Sequence, residues 1–525
     1  MIIINSGAYI IPELQAEYGK IPPCMLPLGN RRLLQHQVTA IREKFQLARI
    51  VLSLPESYKL TINDGLLLKQ TGANVVRVPD VFSLAESVLY VLNTQDEDPA
   101  DPVIRLMHGD TLITDIPDTN DTIGISKTTD DYGWELESKD DSEELVWCGL
   151  FTFSSVRLLI QSLTLARGNF IEAIRRYSAK CPLSSSHIKQ WHDLGHVNTY
   201  FKSRSSITTQ RSFNSLHIEN GIVYKTGHPN KKIEAEAQWF LNIPPRIKKY
   251  TPQLIDMGKD DAGLSFYCLE FLSLAPLNEI FVHGRNPPFY WRKVFDLFGN
   301  LLGEFSFSDV GQVKKLSNLT AETETLYKEK TYRRLAEFGE CNFYDIHKPT
   351  HYADQDVPSL MDLATICIER TLALPVVPSI LHGDLCFSNI LYDSRSEAIK
   401  VIDPRGISES GELSIFGDQK YDVAKLAHSV LGLYDWIIAG RYELHVNENN
   451  MVLDFHLDER ILAIQNTFEK KSFMPNITVR ELMPAVVLLF ISMLPLHADR
   501  ADRQKAMVAN AYRIYLKYCT MEHLS

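Results

Sequence analysis

Two neighbouring segments hold residue types suited to work on phosphate: Leu381-His382-Gly383-Asp384-Leu385-Cys386-Phe387-Ser388-Asn389, then Val401-Ile402-Asp403-Pro404-Arg405-Gly406. Moving a γ-phosphoryl group leaves a protein little covalent work, so it must orient an acceptor hydroxyl and hold magnesium against the nucleotide phosphates. An aspartate, an amide and a second aspartate suffice. Asp384 would accept or orient the acceptor's proton, and Asn389 and Asp403 would hold Mg2+. The three need a tight loop between Asp384 and Asn389, then a short hairpin, with Ile390-Leu391-Tyr392 and Ile399-Lys400-Val401-Ile402 as its strands.

This order and spacing resemble the catalytic loop and metal aspartate of the protein-kinase-like fold. The match is closest to the branch of aminoglycoside phosphotransferases and choline kinases, with His-Gly-Asp in place of His-Arg-Asp and Ile-Asp-Pro in place of Asp-Phe-Gly. The resemblance implies ATP as donor and a small alcohol or sugar as acceptor. Gly383 cannot pair with a phosphorylated activation loop, so regulation by that route is not expected. An N-lobe is implied upstream, and Leu216 to Lys225 read as two strands around an Asn220-Gly221 turn, from a start at Phe213. Lys225 closes the second strand. Glu236, with Glu234 as substitute, lies on the following helical segment, whose apolar face is Ile233, Ala237, Phe240 and Leu241. By resemblance Lys225 and Glu236 pair to position the nucleotide, and Glu270, in the run Leu264 to Leu272, belongs to the hinge beside adenine. No glycine-rich phosphate loop accompanies them, and Asp422 would steady the catalytic loop.

The first part of the chain alternates strand, loop and helix, the pattern of a mostly parallel sheet covered by helices: Met1 to Asn5, Ile50 to Leu54 and Val75 to Val78 as strands, Ser83 to Leu92 as a helix. Met25-Leu26-Pro27-Leu28-Gly29-Asn30 followed by Leu33-Leu34-Gln35-His36-Gln37 resembles the opening of sugar nucleotidyltransferases. In that resemblance Ser6 and Gly7 border the nucleotide. Asp110, in His108-Gly109-Asp110, and Asp193, in Trp191-His192-Asp193-Leu194-Gly195, are the metal aspartates, and Trp147 to Phe153 is the strand beside the sugar or alcohol. Two such carboxylates would hold one divalent ion on the α-phosphate. The chain departs from the family where Gly-x-Gly-x-Arg is usual, with Gly7-Ala8-Tyr9-Ile10-Ile11-Pro12, and where a lysine is usual, with Pro23-Cys24. Lys20, Arg31 and Arg32 are nearby cations that could stand in.

At 525 residues the chain exceeds a single core. The expected division is a nucleotidyltransferase-like α/β domain over 1–204 and an α+β kinase domain over 208–525, with an N-lobe to 272 and a C-lobe from 273, joined by a polar linker from Lys202 to Gln210. A net charge of −11 argues against a nucleic-acid partner. Eight scattered cysteines suit reduced thiols in the cytoplasm, with Cys386 a packing residue. Ala485 to Leu494, between Pro484 and Pro495, reads as a buried helix rather than a membrane span. The charged stretch 320–356 reads as a solvated helix, with no role for Tyr344, His347 or His351; Tyr290 and Trp291 could in principle form part of an aromatic cage for a quaternary ammonium group, but adjacent residues do not point the same way on a helix or strand.

These expectations converge on a bifunctional cytoplasmic enzyme. One domain would phosphorylate a small alcohol or sugar, and the other would couple that phosphate to a nucleotide from a second nucleoside triphosphate, as in fusions serving bacterial capsule or lipopolysaccharide synthesis. The alternative is an active kinase with a first domain that only binds.

Overall fold

A computed structural model describes residues 1–95, 103–128, 130, 132–139, 144–209, 215–306, 318–342, 344–447 and 450–520. Gln210, Phe213 and Asn214, which the sequence reading placed in the linker and first hairpin strand, lie outside them. The chain divides into two compact units, Met1–Gln210 with His283–Asn286, and Arg211–Val282 with Pro287–Ser525. The segment read as a linker is instead the end of a helix, Val197–Thr209. Thr199, Tyr200, Phe201 and Ser203 are buried, while Asn198, Lys202 and Ser206 are exposed.

The first unit is built on an eight-stranded sheet. Ile104–His108, Ile2–Asn5, Ile50–Pro55 and Asn74–Val78 lie side by side and parallel. Glu144–Phe153 adds antiparallel to Ile104–His108, and Thr122–Thr128 and Ser184–His187 extend that side. Consecutive apolar residues form the central strands because both sheet faces are covered. Helix Leu84–Thr94 starts where Ser83 and Glu86 bond reciprocally to each other's backbone N–H, and it buries Val88, Val91 and Leu92 against the sheet core. The parallel strands therefore deliver Asn5-Ser6-Gly7 and His108-Gly109-Asp110 to one edge, where ligands of such sheets sit.

The second unit opens with a four-stranded antiparallel sheet in the order Ser215–Glu219, Ile222–Thr226, Ser265–Glu270, Leu254–Lys259. Asn220 and Gly221 both take positive φ, 50° and 76°, the conformation a two-residue hairpin turn demands. Helix Asn230–Asn242 packs on this sheet with Ile233, Glu236, Ala237 and Phe240 inward, while Leu241 is exposed. The rest is mostly helical, with small sheets among the helices, and surrounds a buried apolar helix, Met483–Met493. With its flanking turns, Arg480–His497 is the one run among the described residues long and apolar enough to cross a membrane; here it packs against four helices and forms the core. Pro484 lies inside its first turn, where a missing N–H costs nothing, so the run is longer than its two prolines suggested. The charged stretch after residue 320 is amphipathic rather than solvated: Leu326, Tyr327, Thr331, Leu335 and Phe338 are buried.

Candidate active sites

In the second unit the loop carrying His382, Gly383 and Asp384, the candidate catalytic loop, is held from below. Asp422, at the start of helix Gln419–Val430, accepts the backbone N–H of His382 at 2.7 Å and of Gly383 at 2.8 Å. Gly383 takes φ +79°, and a Cβ there would sit 2.7 Å from Arg405 Cβ. The loop then turns so that Asn389 Nδ2 donates to the Asp384 carbonyl at 2.9 Å and to its carboxylate at 3.1 Å. Hairpin strands Ile390–Asp393 and Ala398–Val401 return the chain to Asp403, which takes φ +57°.

Lys225 reaches this point from the sheet. Its Nζ lies 2.7 Å from Glu236 and 3.0 Å from Asp403, and Tyr267 donates its hydroxyl to the same Glu236 oxygen at 2.7 Å. Burial works against the ammonium, but Asp403 and Glu236 outweigh it and hold the Lys225 pKa above its ordinary value. Glu234 is exposed. Glu270 stays out of the cluster because its strand pairs Tyr267, not Glu270, opposite Lys225. It sits exposed at the hairpin end, its N–H bonded to the Gln253 carbonyl and its carboxylate to the Gln253 N–H. Asp384, Asn389, Asp403 and Glu236 line one cleft of about 480 Å³. Among the described residues no three His, Cys, Asp or Glu side chains gather as a metal cage. The hard oxygens of Asn389 and Asp403 fit Mg2+, which takes most of its ligands from water and phosphate.

The sequence reading gave no role to Lys425 or Arg405. Lys425 Nζ stands 2.8 Å from Asp384. Burial would raise the Asp384 carboxyl, but Lys425 overrides it and holds the pKa down at about 2. Arg405 donates to the Gly383 carbonyl at 3.0 Å. Both follow recognised motifs by a few residues, and the available signal for Lys425 is a cation three positions after Asp422 on the helix that supports the loop. Trp291 is fully buried in the core and Tyr290 packs on Tyr392, so they form no cage.

If Lys225 and Glu236 act as one device, their losses will not add. Lys225→Ala should raise the KM for ATP and Glu236→Ala should do so more mildly. The double variant should show a coupling of about 0.5–3 kcal/mol in a double-mutant cycle. Independent contributions in steady-state kinetics would sink the pairing.

In the first unit a two-stranded ladder, Thr111–Ile113 with Trp191–Asp193, aligns the two aspartates: Asp193 faces Thr111, the neighbour of Asp110. The Leu194 N–H donates to the Asp110 carbonyl at 2.9 Å. Gly195 has no Cβ because one there would lie 2.5 Å from Asp110 Oδ2. Burial, with Asp193 adding its charge, pushes the Asp110 pKa up to about 6. Asp193 is held by His196 Nδ1 at 2.8 Å and by the Thr199 hydroxyl, two partners the motif reading passed over. Two carboxylates lining one cleft suit a divalent cation.

Two clefts meet at Asp110. One, of about 270 Å³, is bordered by Ser6, Gly7, Tyr9 and His108. Ser6 itself is spent on structure: its hydroxyl accepts the Cys24 N–H and its own N–H donates to Ser53. A Cβ on Gly7 would meet Val78 Cγ2 at 2.5 Å. The other cleft, about 450 Å³, is walled by Trp134, Trp147, Phe151, Phe170 and Trp191. No lysine or arginine is among the described residues lining the Ser6 cleft. Of the cations considered as substitutes, Arg32 is buried against Asp64 at 2.5 Å, Arg31 faces solvent, and Lys20 rests on the Tyr9 ring at 4.1 Å, at the rim.

No protein-family model and no curated protein matches the chain. Solved structures do resemble its parts. The nucleoside-diphosphate-sugar pyrophosphorylase from Vibrio cholerae RC9 is 14% identical over 39% of this chain and 100% of its own, with a TM-score of 0.31. The inositol-1-phosphate CTP transferase from T. maritima is 14% identical over 39% of this chain and 96% of its own, TM-score 0.30. The GDP complex of wild-type aminoglycoside 2'-phosphotransferase-IIIa is 15% identical over 58% of this chain and 89% of its own, TM-score 0.35. By its own topology the chain joins an α/β unit on a largely parallel sheet to an α+β unit that opens with a four-stranded antiparallel sheet.

Proposed function

We propose that the second unit phosphorylates a small alcohol or sugar with ATP, and that the first unit couples the resulting phosphate to a nucleotide. The convergence of Glu236, Asp384, Asn389 and Asp403 on one cleft, with Lys225 bonded to both Glu236 and Asp403, carries this reading. Mg2+ bound between Asn389 and Asp403 would offset charge on the transferring phosphoryl group. Lys225, braced by Glu236, fixes the α- and β-phosphates. A carboxylate held at about 2 is a poor base in the ground state, so Asp384 first orients the hydroxyl and takes its proton once the phosphoryl bond is breaking. The setting we propose is the bacterial cytoplasm, with the product an activated precursor for a surface polysaccharide; the eight unbridged cysteines suit that compartment.

A specific observation favours a second reading for the first unit. Its Ser6 cleft offers a triphosphate no lysine or arginine among its described lining residues, so the unit could bind a nucleotide or sugar without transferring it. Pyrophosphate release decides between the two. In an Asp403→Asn background, which silences the kinase, the full chain should release pyrophosphate from one of CTP, UTP or GTP when given phosphorylated product. Asp110→Ala and Asp193→Ala should each abolish the release, by about 100-fold or more. Metal-dependent triphosphate binding without release from any phosphorylated acceptor would establish the binding-only role.

A further inference from the structure

The cleft around Asp384 has a wall that the phosphoryl-transfer cluster does not use. Helix Lys330–Asn342 turns Lys330 and Arg334 into it, and Arg405 comes from the loop after the metal aspartate. One carboxylate serves this wall. Glu409 Oε1 takes both Lys330 at 2.6 Å and Arg405 at 3.1 Å. Arg334 donates to the Ser492 carbonyl at 2.8 Å, and no carboxylate within ion-pair distance of it is found among the described residues. Asp384 does not offset the excess, because Lys425 already neutralises it. Three cations against one anion leave a surplus of positive charge beside the group that would orient the acceptor. Tyr421 reports the same field: burial would raise its phenol pKa, yet Arg405, Lys425 and Lys330 pull it down.

The cations are also pre-set. Arg405 is tied to the Gly383 carbonyl, one residue from Asp384, and stacks over the Tyr421 ring at 4.7 Å. Lys330 is largely buried, its side chain 13% exposed. Concentrating like charges in a part-buried wall is unfavourable unless something anionic completes it. A sugar bearing several amines, or a quaternary ammonium alcohol, would be repelled here.

We propose that the acceptor of the kinase unit is an anionic alcohol, one that carries a carboxylate or a phosphate beside the hydroxyl to be phosphorylated, held by Lys330, Arg334 and Arg405. This rests on the phosphotransferase reading above and narrows its substrate class. Arg405 and Arg334 present planar N–H pairs suited to either anion. The acid group docks on this wall and places its neighbouring hydroxyl at Asp384. Leu489, Met493 and Leu496, from the run that also supplies the Ser492 carbonyl bonded by Arg334, limit the acceptor's size and polarity.

Calorimetry on the full chain saturated with Mg2+ and the non-hydrolysable analogue AMP-PNP tests this with four probes: glycerol, D-glycerate, sn-glycerol 3-phosphate and choline. At least one anion should bind about tenfold or more tighter than glycerol, choline should bind weakest, and the tighter anion tells carboxylate from phosphate. Arg334→Gln and Lys330→Gln should each weaken that anion about tenfold, with AMP-PNP affinity as the control for an intact cleft. Anions binding no tighter than glycerol, choline binding best, or substitutions that weaken AMP-PNP instead of the anion would overturn the proposal. Failure of AMP-PNP to bind the unaltered chain with Mg2+ would overturn the phosphotransferase reading itself, a separate result.

Discussion

Asp384→Asn should lower kcat for phosphoryl transfer by about 10²–10⁴-fold while leaving the KM for ATP nearly unchanged. The amide keeps the shape and the hydrogen bond from Asn389 but cannot take a proton, and it releases Lys425 from its ion pair. Asp403→Asn should cost as much through a different route. It removes the charge that holds Mg2+ and frees Lys225 from one of its two carboxylates, so the apparent affinity for the metal should fall together with kcat. Melting temperatures of both variants should stay within a few degrees of the parent, since both side chains are 44% exposed to the cleft. Near-parental turnover in either variant would remove that residue from the chemistry.

Gly406→Ala should be the most damaging single methyl in the second unit. Gly406 takes φ +65°, and a Cβ there would fall 2.0 Å from the carbonyl oxygen of Ala235, backbone of the helix that carries Glu236. A side chain in the left-handed region costs about 1–2 kcal/mol, and forcing a packed helix aside adds about 1–3 kcal/mol. The displaced helix withdraws Glu236 from Lys225, so the KM for ATP should rise along with the loss of stability. Gly411→Ala is the control: φ is +89° and the nearest neighbour is the flexible Lys231 Nζ at 3.4 Å, so only the backbone term applies. Denaturant midpoints for the two variants should therefore separate clearly. Equal shifts would mean the close approach at Ala235 is unimportant.

Both folds were legible in the sequence because their signals are local. The Asn220-Gly221 turn, the serine cap before Leu84 and the apolar hairpin after Asn389 each announce themselves within a few residues. Pairs brought together by topology were legible only through resemblance: Asp110 and Asp193 meet because a three-residue ladder aligns them, and no periodicity shows that. The Val197–Thr209 helix escaped because its buried face holds two polar residues, Thr199 and Ser203, and so lacks an apolar stripe. Lys330 and Arg334 escaped for the opposite reason. On a helix full of mixed charge, nothing in the sequence distinguishes a cation turned into a cleft from one left in water. Arg32 shows the same limit, since its burial against Asp64, 32 residues later, is invisible in a local reading.

Gly383 and Arg405 carry a last consequence. Where a phosphorylation-controlled kinase has an arginine in the loop waiting for a modified partner, this chain has a glycine, and the space beside it is filled by an arginine already bonded to the loop's own backbone. The brace is made at synthesis rather than by a signal. On the phosphotransferase proposal, this loop would need no modified partner to hold its shape, and the supply of acceptor would set the unit's output.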